Sequence, residues 1–312
     1  MPKFNGTPAE LGATTPPSDT AQQAEAEGNK TESNLQASCL EDYEKGYREG
    51  KYAGGEELVD QLLPPNMIFP ELSLKQIIAT GLSMHTEHAI PLLLPEQVSD
   101  AILHAMEKKQ PLSVVRLGDG ELLTMAQEIV MPVDQVRREG KFLEYAGVSV
   151  PDLEIRNQLA EAVIRADIVG IPRTRMPNYQ LLVSPVFKAY GLSFRERQWT
   201  DSLINYSLCT AGCLLPILQN RRVLLIGNLA EQLAAVLARH GIHIAGIVAP
   251  VNGARDAARV TALARQYDFD IALVSAGIAA VLITEELARL TGNVAIDFGH
   301  LANALIKGDA SL

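Results

Sequence analysis

Arg221-Arg-Val-Leu-Leu-Ile-Gly227, then a run over 229–240, then Ile244-Ala-Gly-Ile-Val-Ala249 read as strand, helix and strand. The outer runs are short and apolar, as strands buried on both faces of a parallel sheet must be. The pattern continues downstream. A helix is predicted over 254–267, a strand over 270–275, a helix over 279–290 and a last strand over 294–299. Strands alternating with helices of about twelve residues make right-handed βαβ units and a parallel sheet covered on both faces.

Upstream, Leu112-Ser-Val-Val-Arg116-Leu-Gly-Asp-Gly-Glu121 carries an apolar strand over 112–117 into a glycine-flanked pair of carboxylates, Asp119 and Glu121. In an open α/β sheet the C-terminal strand ends open into the ligand crevice. Acids at i and i+2 in a turn point the same way only where the backbone kinks, and Gly118 and Gly120 permit a kink. Hard oxygen ligands suit Mg²⁺ or Mn²⁺, ions that favour a diphosphate as a further ligand. A polar turn capping the next helix, expected over 122–129, accounts for the two acids equally well.

A further helix is expected over 95–109, opened by Pro95, with Val98, Ile102 and Ala105 on one face. Another is expected over 155–166, followed by a buried strand over 167–172. The loop after it, Arg173-Thr-Arg175-Met-Pro-Asn178, offers two guanidinium groups to a phosphate or an acceptor, or is an ordinary surface loop. The expected fold is therefore α/β, a Rossmann-like parallel sheet with helices on both faces, occupying 95–308.

Ahead of it, residues 56–94 are broken by Pro64, Pro65, Pro70 and Pro91 into short helical lead-in pieces. Residues 1–36 are rich in Thr, Ala, Pro, Gln, Glu and Ser, the composition of a disordered tail. Residues 42–55 repeat aromatic, charge and glycine, and each glycine inside a helix costs about 1 kcal/mol. A solvated linker is the expectation there, with a frayed charged helix or a partner-docking arm as the alternatives.

Composition narrows the function. The chain has 312 residues, 47% of them hydrophobic, and a formal net charge of −10, which argues against nucleic acid or an anionic membrane as the main partner. Its three cysteines, Cys39, Cys209 and Cys213, make neither a disulfide framework nor a zinc quartet. His85 and His88 lack a third ligand nearby. No run reaches the ~20 apolar residues of a membrane span and no basic-plus-apolar leader is present, so the expected location is the cytoplasm.

The expected strand ends carry Gly227-Asn228, Pro250-Val-Asn252-Gly253, Ser275-Ala-Gly277 and Asp297-Phe-Gly-His300. Glycine lets a ligand approach the backbone, and N–H groups at the next helix start hold phosphate oxygens. Asn228, Pro250, Asn252, Ser275 and Gly277 are thus candidate ligand contacts, while Asp297 and His300 are each a ligand, a base or a structural partner. Three signatures are missing: G-x-G-x-x-G after the strand at 221–227, a P-loop, and the nucleophile elbow Gly-x-Ser-x-Gly.

Arg116-Leu-Gly-Asp-Gly-Glu121 resembles the Arg-Phe-Gly-Asp-Gly-Glu signature of GT-D type glycosyltransferases, a family first described as a domain of unknown function in Gram-positive bacteria. Val248-Ala-Pro250-Val-Asn252, Ser275-Ala-Gly277 and Ala295-Ile-Asp-Phe-Gly-His300 are similar to later blocks of that family in order and spacing. The resemblance spans roughly 95–306. It implies a cytosolic, metal-dependent enzyme that moves a hexose from a nucleotide sugar, such as a UDP-sugar, to a glycan, glycoprotein or cell-surface acceptor. Asp119 and Glu121 become the metal and diphosphate residues, Gly118 and Gly120 part of the donor-binding turn, and Arg116 a turn support or phosphate contact. Asp297 and His300 are the candidate bases. The chain departs from the family pattern at Asp201-Ser-Leu-Ile-Asn-Tyr206 and at Asn228-Leu-Ala-Glu231. These departures keep open a catalytically idle sugar-nucleotide binder or scaffold that uses 42–55 to dock a partner. An adenosyl-dependent methyltransferase fits the turn sequences poorly.

Overall fold

The computed structural model describes residues 39–195 and 197–312, so the tail expected over 1–36 lies outside the described residues. The chain divides between Ala89 and Ile90 into two compact units.

The first unit is helical. Residues 39–51 form an α-helix that passes through a π-turn, Tyr52–Glu56, into Glu57–Leu62. The Gly/Tyr run expected as a linker is therefore a helix here. A second helix, Leu74–Ser83, is fixed at its start by a reciprocal cap. The Gln76 amide N–H donates to Ser73 Oγ at 3.3 Å, and the Ser73 N–H donates to Gln76 Oε1 at 2.9 Å.

The second unit carries the sheet. Its strands are β1 (Leu112–Arg116), β2 (Ile168–Ile171), β3 (Gln198–Asp201), β4 (Arg222–Gly227), β5 (His243–Val248), β6 (Ile271–Ser275) and β7 (Val294–Asp297). All pair in parallel, in the order β3-β2-β1-β7-β6-β4-β5. The helices are α1 (Pro95–Lys108), α2 (Asp119–Ala126), α3 (Val133–Glu139), α4 (Leu153–Arg165), α5 (Gln180–Ala189) and α6 (Ile204–Thr210). They continue as α7 (Leu214–Leu218), α8 (Ala230–Arg239), α9 (Ala257–Ala264), α10 (Ala279–Thr291) and α11 (Leu301–Lys307).

Alternate residues of each strand feed two separate cores, as the period of two requires. Val115, Val169, Leu224, Val274 and Ala295 pack under α2, α4, α5, α9 and α10. Val114, Ile168, Leu225, Leu273 and Ile296 pack under α1, α6, α7, α8 and α11. After β1 the chain builds outward through β2 and β3, then crosses to fill the other side. The order therefore reverses at the β1/β7 junction, where an open parallel sheet binds ligands.

Three local expectations change. The helix after β1 begins at Asp119, so both acids sit in its first turn, and neither Gly118 nor Gly120 adopts positive φ. No kink forms; a regular helix start already satisfies the backbone. The edge strand β3 is four residues long with only Trp199 and Thr200 buried, too short to show a period. Helices α3, α5, α6, α7 and α11 have no counterpart among the elements expected from sequence; α5 contains Pro185, which breaks its sequence signature.

Candidate active site at the β1/β7 junction

Arg116 closes β1 and reaches across the junction. Its Nε donates to the Asp297 carbonyl oxygen at 3.0 Å, and its Nη2 donates to Asp297 Oδ1 at 2.9 Å. Its Nη1 donates to the Ser202 carbonyl at 3.0 Å, so all three nitrogens are engaged within the protein. Asn205 seals the same corner by donating to the Phe298 carbonyl at 2.8 Å. Gly299 is at φ +51°, and the Arg116 guanidinium fills the space a Cβ would need there. Burial pushes the Asp297 carboxyl up, against the opposing pull of Arg116 and His300. The family-pattern departure at 201–206 thus supplies Ser202 and Asn205, which hold this arginine's corner.

The two acids open α2 beside this pair. Glu121 accepts the Gly118 N–H at 2.7 Å, and Asp119 accepts the Gly120 N–H at 3.0 Å. The helix start favours both charges. Burial, and then the nearby Asp297, push the Glu121 carboxyl up from 4.5 to about 7; the Gly118 N–H and Arg116 oppose this. Tyr179, the residue before α5, lies against Asp119. Its phenol is pushed up by burial first and then by the charge of Asp119. Sequence reasoning stopped at the arginines of the loop before it and did not nominate Tyr179. Those arginines are turned to local partners: Arg173 faces Asp201 at 3.9 Å and Arg175 donates to Gln180 Oε1 at 3.1 Å.

The far strand ends join the same edge. Gly120 packs against Ile278 and Phe142, each 3.4 Å from the position a Cβ would take. The segment leading on from Phe142 lies over the ends of β5 and β6. The Ala146 carbonyl lies beside Gly277, and the Gly147 carbonyl accepts the Ala254 N–H at 2.9 Å. Gly147 and Gly253 touch backbone to backbone, both at positive φ, where any side chain would collide. The acidic turn and the rim at 253–278 are thus linked by one short stretch of chain.

The nominated rim residues differ in what they leave free. Asn228 spends both ends of its amide on Val251, accepting its N–H at 2.8 Å and donating to its carbonyl at 3.1 Å. The Pro250 carbonyl accepts from Arg259 at 2.7 Å, and the Asn252 N–H donates to Asp256 at 2.9 Å, leaving the exposed Asn252 side chain open. The Ser275 hydroxyl oxygen is buried at the end of β6 with no hydrogen-bond partner. Gly277 is exposed at φ +55° and His300 is exposed just ahead of α11.

Among the described residues, no three His, Cys, Asp or Glu side chains form a ready-made metal cage. The donor set at α2 instead offers two carboxylates, which matches the way Mg²⁺ or Mn²⁺ is held by one or two acids plus substrate phosphates. No helix of the described residues is long and apolar enough to cross a membrane.

No functionally curated protein matches the sequence. Among solved structures, one described as a new glycosyltransferase (a domain of unknown function, number 1792) from Streptococcus sanguinis is similar at 17% identity. It covers 72% of this chain and 87% of its own, with a TM-score of 0.49. Another, described as the same domain with a distinct glycosyltransferase fold, is similar at 16% identity, covering 73% of this chain and 86% of its own, with a TM-score of 0.47. The model of the GT-D fold-like domain matches residues 93–305, more than half of the sequence. The chain therefore belongs to the GT-D fold-like family, a family of glycosyltransferase fold.

Proposed function

We propose that this chain is a metal-dependent glycosyltransferase that moves a hexose from a UDP-sugar to a glycan, glycoprotein or cell-surface precursor in the cytoplasm. The observation that carries the reading is the acid pair at the start of α2, set on the edge shared by the ends of β5, β6 and β7.

Asp119 and Glu121 would hold Mn²⁺ or Mg²⁺, each keeping oxygen capacity beyond its one backbone bond. Bound there, the cation supplies Lewis-acid stabilisation of the departing nucleoside diphosphate. The chain's own contribution is preorganisation. Arg116 and Asp297 lock the junction, and the Gly118 N–H fixes one oxygen of Glu121. The open rim at Asn252 and Gly277 takes the sugar or nucleoside hydroxyls, while the buried Ser275 hydroxyl is out of a ligand's reach. Of the two candidate bases, Asp297 is committed to Arg116, whereas the exposed His300 is free to take a proton from an acceptor hydroxyl.

The test is UDP release from a panel of UDP-sugars with Mn²⁺, using Asp119→Ala and Glu121→Ala. Each variant is expected to lose at least about a hundredfold in turnover while keeping a native unfolding transition. Unchanged turnover in both overturns the assignment. Donor binding with no turnover against any acceptor pool indicates the idle binder.

A further inference from the structure

Within residues 39–89, Gly55 is the only residue whose surface is buried. The helix over 39–51 shows the consequence most clearly. Leu40, Tyr43 and Tyr47 are 60%, 69% and 63% exposed, and the two tyrosine rings stack at 6.4 Å along one side. At 100° per residue these three positions share one narrow stripe. A helix of this length with Gly46 and Gly50 inside it is marginal in water unless its apolar stripe is covered.

The charges beside the stripe say what covers it. On one flank the acids Glu41 and Glu44 come first, and the bases Arg48 and Lys51 follow. None of the four has an ion pair among the described residues. The nearby pair Lys45–Glu49, at 4.0 Å, lies on the back of the helix, away from the stripe. Laid antiparallel on a copy of itself, this flank faces its own counterpart and sets Glu44 against Lys51; laid parallel, it faces the other flank, where Gly46 offers no charge. Antiparallel pairing also brings the leucine and tyrosine half of one stripe against the glycine half of the other, where large side chains find room.

We propose that the helix over 39–51 docks antiparallel on the same helix of a second copy of this chain. The contact is isologous, with Tyr47 nearest its two-fold axis, Tyr43 and Leu40 farther out along the stripe, and Glu44 facing Lys51 of the second copy along its edge. A pair of short helices buries less than the ~800 Å² per partner of a stable interface, so the dimer dissociates on dilution. This pairing is independent of the chemistry assigned to the second unit.

The experiment is sedimentation of the full chain from about 1 to about 200 µM, the range where a contact of this size assembles. The mass should rise with concentration toward twice the chain's 33.8 kDa. Glu44→Lys and Lys51→Glu should each weaken association by at least about fivefold, and the two together should restore it. All these positions are exposed, so the variants leave folding intact. Cys39 is an exposed reporter of direction, because antiparallel pairing holds the two thiols at opposite ends. A monomer throughout the range, an association indifferent to the charge swap, or rapid Cys39–Cys39 cross-linking under mild oxidation would each overturn the proposal.

Discussion

The Arg116 guanidinium meets the Asp297 carboxylate at 2.9 Å, across the seam where β1 pairs with β7. The two side chains are only 16% and 4% exposed, so neither charge has water to fall back on. Removing one partner strands the other. Arg116→Met is expected to destabilise the second unit by about 3–5 kcal/mol. Arg116→Lys should recover only part of this, because an ammonium cannot reproduce the guanidinium fork. Urea denaturation measures both, and a loss below about 1 kcal/mol for Arg116→Met contradicts a buried, structural pair.

Glu121 makes stability depend on pH in a direction opposite to most carboxylates. Its folded-state value of about 7 lies above its ordinary 4.5, so the fold favours the protonated acid. The stabilisation is complete below about pH 4.5 and is lost as pH rises through about 7. Glu121→Gln cannot ionise and so escapes that loss. It should melt higher than the wild type at pH 8, by the equivalent of at most about 3 kcal/mol, and show little gain at pH 4.5. An equal difference at both pH values contradicts the burial of this carboxyl.

Gly299 permits the approach of Arg116. Gly299→Ala adds a Cβ at φ +51° in space that the guanidinium occupies. A loss of about 2 kcal/mol is expected, from strain and displacement together. Gly308→Ala, also at positive φ with nothing near its Cβ, serves as the control and should cost less.

Asn228 distinguishes a rim contact from a clamp. Both ends of its amide are bound to Val251, so Asn228→Ala should lower stability by about 1–2 kcal/mol. It should leave the KM for donor within about twofold, far short of the loss that follows when a buried polar partner of a substrate is removed. A large rise in KM with unchanged stability would show that the side chain reads the donor.

The strands legible in the sequence were those buried on both faces, because a short unbroken apolar run such as 223–226 must be covered from above and below. The β1 turn stood out as a candidate site on other grounds: Asp119 and Glu121 interrupt apolar sequence where a strand must end. What escaped depended on distance along the chain. Asp297 lies 181 residues from Arg116, and no local pattern announces their contact. Tyr179 comes to Asp119 only because α5 packs beside α2. The glycine contact between Gly147 and Gly253 is likewise a product of topology. The family-pattern departure at 201–206 left an idle binder open in the sequence, and in the fold Ser202 and Asn205 hold the arginine corner.

In the proposed reading the carboxylates of α2 grip a donor diphosphate through a shared cation. Thermal melting of the wild type and Asp119→Asn with Mn²⁺, with UDP, and with both together tests it most directly. The account predicts a rise of about 5 °C for the wild type only when both ligands are present, and none for Asp119→Asn. An equal rise in the variant, or a full rise with UDP and no metal, would contradict it.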